Sequence, residues 1–177
     1  MDWKIRSLIL DLCRKKGEYW EKHVLQVVRF SMMLGKKLKA DLEVLEAASW
    51  LHDIAKLQAE KVGHHISGAE EAEKILRKIG FKRINEVKHC ILTHSSDKKY
   101  KPRTKEAKIL ASADALSHYE LFYCMSWHAY KKKNLGPEDG RLWLIKKYNT
   151  AWSKLMPETR KMALKKHKAI MLILKPT

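Results

Sequence analysis

The apolar residues of this chain recur at intervals of three and four positions over most of its length, as in Val27, Phe30 and Leu34. This is the repeat of an amphipathic α-helix, and no stretch shows the strict alternation of a half-buried strand. Short polar or Gly- and Pro-containing segments separate the periodic stretches. They predict an all-α fold of about seven helices, near residues 2–16, 20–38, 42–57, 67–79, 83–95, 104–127 and 137–173.

Local signals set several of the predicted helix ends. Ser67 followed by Glu70 forms a capping-box pattern, which predicts that the fourth helix begins at Ser67. Gly80 stands where a glycine typically ends a helix. Pro157 suits the first turn of a new helix, so we expect the last periodic stretch to be interrupted after Met156.

Length and composition fit one globular domain. The chain has 177 residues, 45% of them hydrophobic and 32% charged, which is enough apolar material for a core. Its seven Gly and four Pro are too few for a fold made of strands and turns. The basic segment 131–137 is the clearest internal boundary. We predict a single domain over 1–177, with a helical core at 18–127 and a basic C-terminal helical extension at 128–177.

Three further features bear on the class of protein. The longest uninterrupted apolar run, Ala169 to Leu174, is too short to cross a bilayer. The first six residues include one acid and two bases, unlike a signal peptide. Cys13, Cys90 and Cys124 are odd in number and never at a C-x-x-C spacing, which favours buried thiols over disulfides or a zinc-thiolate site. We therefore expect a soluble, cytoplasmic protein with no membrane partner.

Positive charge is in large excess. The 37 Lys and Arg against 20 Asp and Glu give a net charge of +17, and the 13 basic and 3 acidic residues from Ser126 onward carry +10 of it. Such a charge attracts anions, although charge-rich helix faces also serve as a stability device. Because no nucleic-acid-binding motif accompanies the dispersed lysines, we expect only weak, non-specific binding of nucleic acid.

Four titratable residues fall on stripes that the helical repeat turns inward; they are His23, His52, His94 and Asp114. A buried carboxylate is costly unless it is paired or bound to a cation, and Asp53 adjoins His52. Taken singly, each residue also fits a hydrogen-bonded core histidine or an ion-paired aspartate. A divalent metal explains all of them together, and imidazole with carboxylate favours Fe, Mn, Co, Ni or Zn over Ca.

His23, the pair His52-Asp53 and Asp114, in that order on successive predicted helices, resemble the H…HD…D signature of the HD-domain metal-dependent phosphohydrolases. The pair stands in the segment WLHDIAK, where Lys56 follows three residues later, as in the family's local pattern. Asp114 stands in ASADAL, which also matches that family. The resemblance implies an HD-type helical bundle.

The resemblance covers about residues 20–125 and includes further histidines. His64, shortly before Gly68, and His94 match the additional histidines of members that hold a second metal, with His65 as the alternative to His64. One or two divalent ions per chain are implied, drawn from Mn, Fe, Co, Ni, Mg and Zn. The implied metal ligands are His23, His52, Asp53, Asp114, His64 and His94.

The resemblance implies that the protein hydrolyses a small phosphorylated substrate. Among such substrates, we expect nucleotides before others. Two His and two Asp leave a metal open positions for water and a phosphoryl oxygen. Asp53 is assigned to bridging two metals or orienting the attacking water, and Lys56 to contacting phosphate unless it is a solvated helix-end lysine.

His118, one turn after Asp114, either supports the metal ligands or is a buried histidine without a role in the site. Weaker candidates for phosphate contacts are Arg29, Lys98, Lys99 and Arg103.

Two other functions stay open at the level of the sequence. A few members of the HD fold are oxygenases, which use a mixed-valent di-iron site on the same His and Asp set. A non-catalytic basic helical module would bind nucleic acid and be indifferent to chelators. The complete ligand set favours an enzyme. The chain has no Gly-rich phosphate loop and no Ser or Cys nucleophile arrangement, which argues against a P-loop or triad enzyme.

Overall fold

The computed structural model describes residues 3–58, 63–97 and 99–175, and every regular element within these ranges is helical, which confirms the predicted all-α class. The elements are α1 Trp3–Lys16, α2 Glu18–Leu38, α3 Leu42–Leu51, α4 Ile54–Leu57, α5 His64–Lys78, α6 Ile84–Thr93, α7 Lys105–Glu120, α8 Phe122–Trp127, a π-helical turn His128–Lys132, α9 Pro137–Lys154 and α10 Pro157–Leu174. Within the same ranges, no helix combines the length and the apolar content that a membrane span requires.

The bundle is organised around α7. This helix packs against α2, α3, α6, α9 and α10, and its residues from 109 to 119 are all buried. A helix that is enclosed on every side needs neighbours that can approach closely, and the small residues Ala111, Ala113 and Ala115 permit this. Asp114 is thereby carried into the interior with them.

The predicted helix over 42–57 is interrupted at the His52-Asp53 pair. α3 ends at Leu51 and α4 begins at Ile54, while Asp53 has the non-helical backbone angles φ −113° and ψ 21°. In a continuous helix, adjacent side chains point about 100° apart. The break lets His52 and Asp53 both be buried on the same side of the chain, which the helical repeat alone does not allow.

The predicted start of the fourth helix at Ser67 is wrong. α5 begins at His64, three residues earlier, and follows Gly63 in the left-handed conformation with φ 66°. A glycine adopts this conformation without steric cost, which allows the chain to turn directly into the helix. The Ser67 hydroxyl donates a hydrogen bond back to the Gly63 carbonyl at 3.4 Å and does not act as a cap.

Other helix boundaries agree with the sequence in part. Gly80 has φ 67° and follows the end of α5, and Pro157 opens α10, so both of these predictions are confirmed. The predicted helix over 104–127 is divided at Leu121, whose backbone leaves the helical region at φ −109° and ψ 33°. Leu121 is itself buried, so the bend places an apolar side chain in the core.

The C-terminal helices are joined to the core by hydrogen bonds between buried groups. The Tyr148 hydroxyl of α9 donates to the His118 carbonyl at 2.9 Å. The Ser112 and Thr159 hydroxyls, from α7 and α10, lie 2.6 Å apart. The segment from 128 onward therefore packs on the central helix, and α9 takes part in forming the pocket described below.

Candidate metal centre

Five helical elements bring the six predicted metal ligands to one place. A pocket of about 190 Å³ is lined by His23, Asp53, His64, His94 and Asp114, together with residues of α9. His52 is fully buried next to Asp53. The chain separates His23 from Asp114 by 91 positions, so only the packing of α2 against α7 makes them neighbours.

The first group of ligand atoms lies between α2, α7 and the break after α3. The Nε2 atoms of His23 and His52 are 3.1 Å apart. Asp53 Oδ2 lies 3.5 Å from each of them, and Asp114 Oδ1 lies 3.5 Å from His23 Nε2. Ligand atoms of His23, His52 and Asp53 all lie within 4.8 Å of one another, and Asp114 adjoins this group through its contact with His23.

The second group shares one residue with the first. Ligand atoms of Asp53, His64 and His94 all lie within 4.8 Å of one another. His94 Nε2 is 3.4 Å from Asp53 Oδ1, whereas the other oxygen of Asp53 faces His23 and His52. The two oxygens of this carboxylate thus point to different groups, which is the arrangement needed to bridge two ions.

In the neutral rings of His23 and His52, the hydrogen bonds at Nδ1 leave lone pairs on the facing Nε2 atoms. His52 Nδ1–H donates to the Ser49 carbonyl at 2.7 Å, which leaves Nε2 unprotonated in the neutral ring. The Ser117 hydroxyl donates to the Asp114 carbonyl at 2.7 Å, so its oxygen accepts from His23 Nδ1–H at 2.9 Å. Two lone pairs and nearby carboxylate oxygens repel one another unless a cation lies among them. The donor set therefore fits a divalent metal.

His94 repeats the geometry of His52. Each follows directly on the last residue of a helix, and His94 Nδ1–H donates to the Ile91 carbonyl, three residues earlier, at 2.5 Å. In the neutral ring, Nε2 then carries a lone pair and faces Asp53. A hydrogen bond at one ring nitrogen that fixes the other for a metal is the usual support for histidine ligands.

The structure gives the neighbouring histidines His64 and His65 different contacts. His64 lies in the group with Asp53 and His94. His65 Nε2 instead faces Asp97 Oδ2 at 3.4 Å, and its ring contacts Tyr100 edge to face. Because His64 is the first residue of α5, its direction is set by the backbone turn at Gly63 and not by a flexible loop.

Two lysines neutralise the buried carboxylates. Lys56 Nζ is 2.9 Å from Asp53 Oδ1, and Lys154 Nζ is 2.6 Å from Asp114 Oδ2. Burial by itself raises the pKa of each carboxyl, but the ammonium groups of Lys56 and Lys154 hold both pKa values well below the ordinary range. Both aspartates are therefore ionised at neutral pH, as metal ligands must be.

Among the candidates for phosphate contacts, Lys56 is the one at the pocket. Its position beside Asp53 argues against the alternative of a solvated helix-end lysine. Arg29, Lys99 and Arg103 do not line this pocket, and Lys98 lies outside the described residues.

Sequence reasoning missed Lys154 and gave too little weight to His118. His118 is buried, its ring stacks on His23 with 5.5 Å between centroids, and it forms a third potential ligand group with His23 and Asp114. Its spacing of four from Asp114 was the available signal. Lys154 has no such signal, because its contact with Asp114 depends on how α9 packs against α7.

We predict that the metal-free protein loses stability as the pH falls from about 6.5 to 4. Burial lowers the pKa of His52 to about 4, and burial with the charge of Lys56 lowers that of His64 to about 4. In this window the unfolded chain takes up protons that the folded protein does not, which for His52 costs about 3 kcal/mol. Protonation of Asp53 and Asp114 causes a further loss of stability, but mainly at pH values below this window, because the pKa values of both carboxyls are lowered in the folded protein. Urea unfolding in EDTA at a series of pH values measures this, and constant stability from pH 6.5 to 4 would contradict it.

Comparison with known proteins gives three results. A family model described as HD domain matches residues 20–119. A 103-residue segment is 34% identical to ribonuclease Y of Alkaliphilus metalliredigens, covering 57% of this chain and 20% of that protein. A 121-residue segment is 32% identical to tRNA (cytidine(56)-2'-O)-methyltransferase of Thermoplasma volcanium, covering 60% of this chain and 35% of that protein. The match thus spans a fifth to about a third of these relatives.

The fold has a counterpart among solved structures. The crystal structure of a predicted HD superfamily hydrolase from an uncultured Thermotogales bacterium superposes with a TM-score of 0.66. The superposition covers 97% of this chain and 87% of the other, at 21% sequence identity. At this identity the likeness concerns the fold, and it includes α9 and α10 beyond the part that the family model matches.

Proposed function

Because the chain belongs to the HD domain family, we propose that it is a metal-dependent phosphohydrolase, which cleaves phosphate esters of nucleotides. One observation carries this proposal: the Nε2 atoms of His23 and His52, which carry lone pairs in the neutral rings, face each other at 3.1 Å beside two ionised carboxylates. Such a set is repulsive by itself and suited to a divalent cation. It lies in a pocket that three lysines also line, which favours an anionic substrate.

The ligand groups support one ion or two. His23, His52, Asp53 and Asp114 would hold the first ion, and Asp53, His64 and His94 the second. Mn, Fe, Co, Ni, Mg and Zn are the candidate metals. A bound divalent ion supplies Lewis-acid chemistry, since it lowers the pKa of water and withdraws charge from a phosphoryl group.

The protein's own side chains orient the reaction. The Asp53 carboxylate, ionised and buried, accepts a hydrogen bond from the attacking water and thereby directs it. Lys56, which is about one third exposed, reaches the pocket and donates a hydrogen bond to a phosphoryl oxygen. His118 stacks on His23 and holds that ring in position. The water oxygen bonds to phosphorus as the ester P–O bond breaks, and the proton that water gives up passes to the departing alkoxide oxygen, directly or through solvent.

A nucleotide panel with phosphate detection tests the proposal. The purified protein is loaded with each candidate metal and assayed against nucleoside mono-, di- and triphosphates and against model diesters. We expect phosphate release or ester cleavage from at least one class, only with metal present, and its loss in EDTA. Substrate-dependent oxygen uptake without phosphate release would instead identify the oxygenase alternative.

Nucleic acid is the second candidate class of partner. Ribonuclease Y, by its name, acts on RNA, and the net charge of +17 favours polyanions. We predict dissociation constants no tighter than about 1 µM at physiological salt, without sequence preference, because no groove-reading motif is present. Fluorescence anisotropy with labelled single strands and duplexes, at two salt concentrations and with or without EDTA, measures this. Submicromolar, sequence-selective binding would contradict the prediction and support the binding-module alternative.

A further inference from the structure

One face of α9 supplies cationic groups to the pocket. Lys147, Ala151 and Lys154 are spaced by four and three residues, which places them on the same side of the helix, and all three line the pocket. The neighbouring Lys146 is exposed and does not line it. Of these two adjacent lysines, therefore, only Lys147 lies at the pocket of the metal centre.

The two pocket lysines of α9 differ in their partners. Lys154 is paired with Asp114. Lys147 has no carboxylate within 4 Å and no hydrogen-bond acceptor among the residues that the structure describes. Burial, which the attraction of Asp114 opposes and the positive charges of Lys154 and Lys56 reinforce, lowers the pKa of Lys147 to about 8. A half-buried ammonium group that lines a pocket without a counter-ion can bind an anion.

The balance of charge in the pocket indicates how many phosphoryl groups the anion carries. Two carboxylates, Asp53 and Asp114, face three ammonium groups, Lys56, Lys147 and Lys154, which leaves one net positive charge. Each divalent ion adds two more. A phosphodiester brings one negative charge and a monoester about two, whereas linked phosphoryl groups bring three or four. A pocket with a net charge of three or more is best neutralised by the last class.

We infer that Lys147, supported by Lys154, forms a subsite for a second phosphoryl group beside the one at the metal centre. This inference rests on the proposed function and narrows it: the substrates are nucleoside di- or triphosphates and related molecules with linked phosphoryl groups. Lys147 is a binding residue in this role. Its ammonium group would donate a hydrogen bond to an oxygen of the second phosphoryl group.

Calorimetric binding of inorganic pyrophosphate and orthophosphate tests the subsite without turnover of a nucleotide. Both are titrated into Mn²⁺-loaded protein, with free Mn²⁺ buffered equally in cell and syringe. We expect Lys147→Gln to weaken pyrophosphate binding about tenfold and to change orthophosphate binding less than twofold. Lys147→Arg restores pyrophosphate binding, and the matched control Lys146→Gln behaves as the unchanged protein. Equal losses for both anions, or no loss for either, would overturn the inference.

A second arm in EDTA separates the subsite from the proposed function. Pyrophosphate binding to the metal-free protein should also weaken in Lys147→Gln and not in Lys146→Gln. If no metal binds and no ester is cleaved, the proposed function fails, while this arm still reports on the subsite. If esters are cleaved and Lys147→Gln binds pyrophosphate normally in both arms, the subsite alone is wrong. Should the Gln variant not fold, Lys147→Met serves in its place, since Met keeps a long unbranched side chain and removes the charge.

Discussion

Replacing Asp53 by alanine is expected to abolish metal-dependent phosphate release, with a fall of about 100-fold or more. Both carboxylate oxygens are in use, because Oδ2 faces His23 and His52 while Oδ1 faces His94. One substitution therefore removes a ligand from both groups. Steady-state phosphate release with the best substrate of the panel measures the effect, and wild-type turnover in Asp53→Ala would refute the assignment of the site.

The same substitution leaves the metal-free fold intact. Asp53 stands in the break between α3 and α4, where its side chain makes no helix-capping hydrogen bond, and Lys56 can turn to solvent when its partner is removed. Metal binding raises the unfolding temperature of the unchanged protein and not that of the variant, because only the native state holds the site. Asp97→Ala is the matched control, since Asp97 lies near the pocket against His65 but outside the ligand groups. It should keep both activity and metal-induced stabilisation.

The second large effect concerns metal stoichiometry. We expect two ions per chain at saturation with Mn or Fe, and one ion in His94→Ala. His94 belongs to the group with Asp53 and His64 and not to the group of His23, His52 and Asp53, so only the second site loses a ligand. Metal counting on dialysed protein gives the number, and anomalous scattering gives the positions. His64→Ala should have the same result.

His89 provides the matched control for the metal count. His89 lies within α6, whereas His94 directly follows the last residue of that helix. His89 is half-buried and accepts a hydrogen bond from the backbone N–H of Arg103. It belongs to none of the ligand groups, so His89→Ala should retain two ions. A single ion in the unchanged protein, with no loss in His64→Ala or His94→Ala, would show that Asp53 does not bridge.

The helix boundaries in the structure differ from the predicted ones where the local preference of the sequence competes with tertiary packing. The apolar repeat continues through His52 and Asp53, and it therefore predicts one helix where the structure has two. The capping pattern at Ser67 is sound as a local signal, but the left-handed turn at Gly63 starts α5 earlier and brings His64 to the pocket. In both cases the helix boundary depends on packing against residues that are distant in the sequence, and a local sequence pattern does not include them.

The sequence by itself determined the all-α class, the HD family and a set of six inward or neighbouring His and Asp residues, because each depends on spacing within a single helix or on a short motif. The family resemblance already implied a second metal site at His64 and His94; the tertiary structure supplied the distances around Asp53 and added His118 beside His23 and Asp114. It also brought Lys147 and Lys154 to the pocket from a helix beyond the motif. The physical reason is range: a helical repeat fixes the direction of a side chain, whereas its partner on another helix is fixed by the packing of α2, α7 and α9.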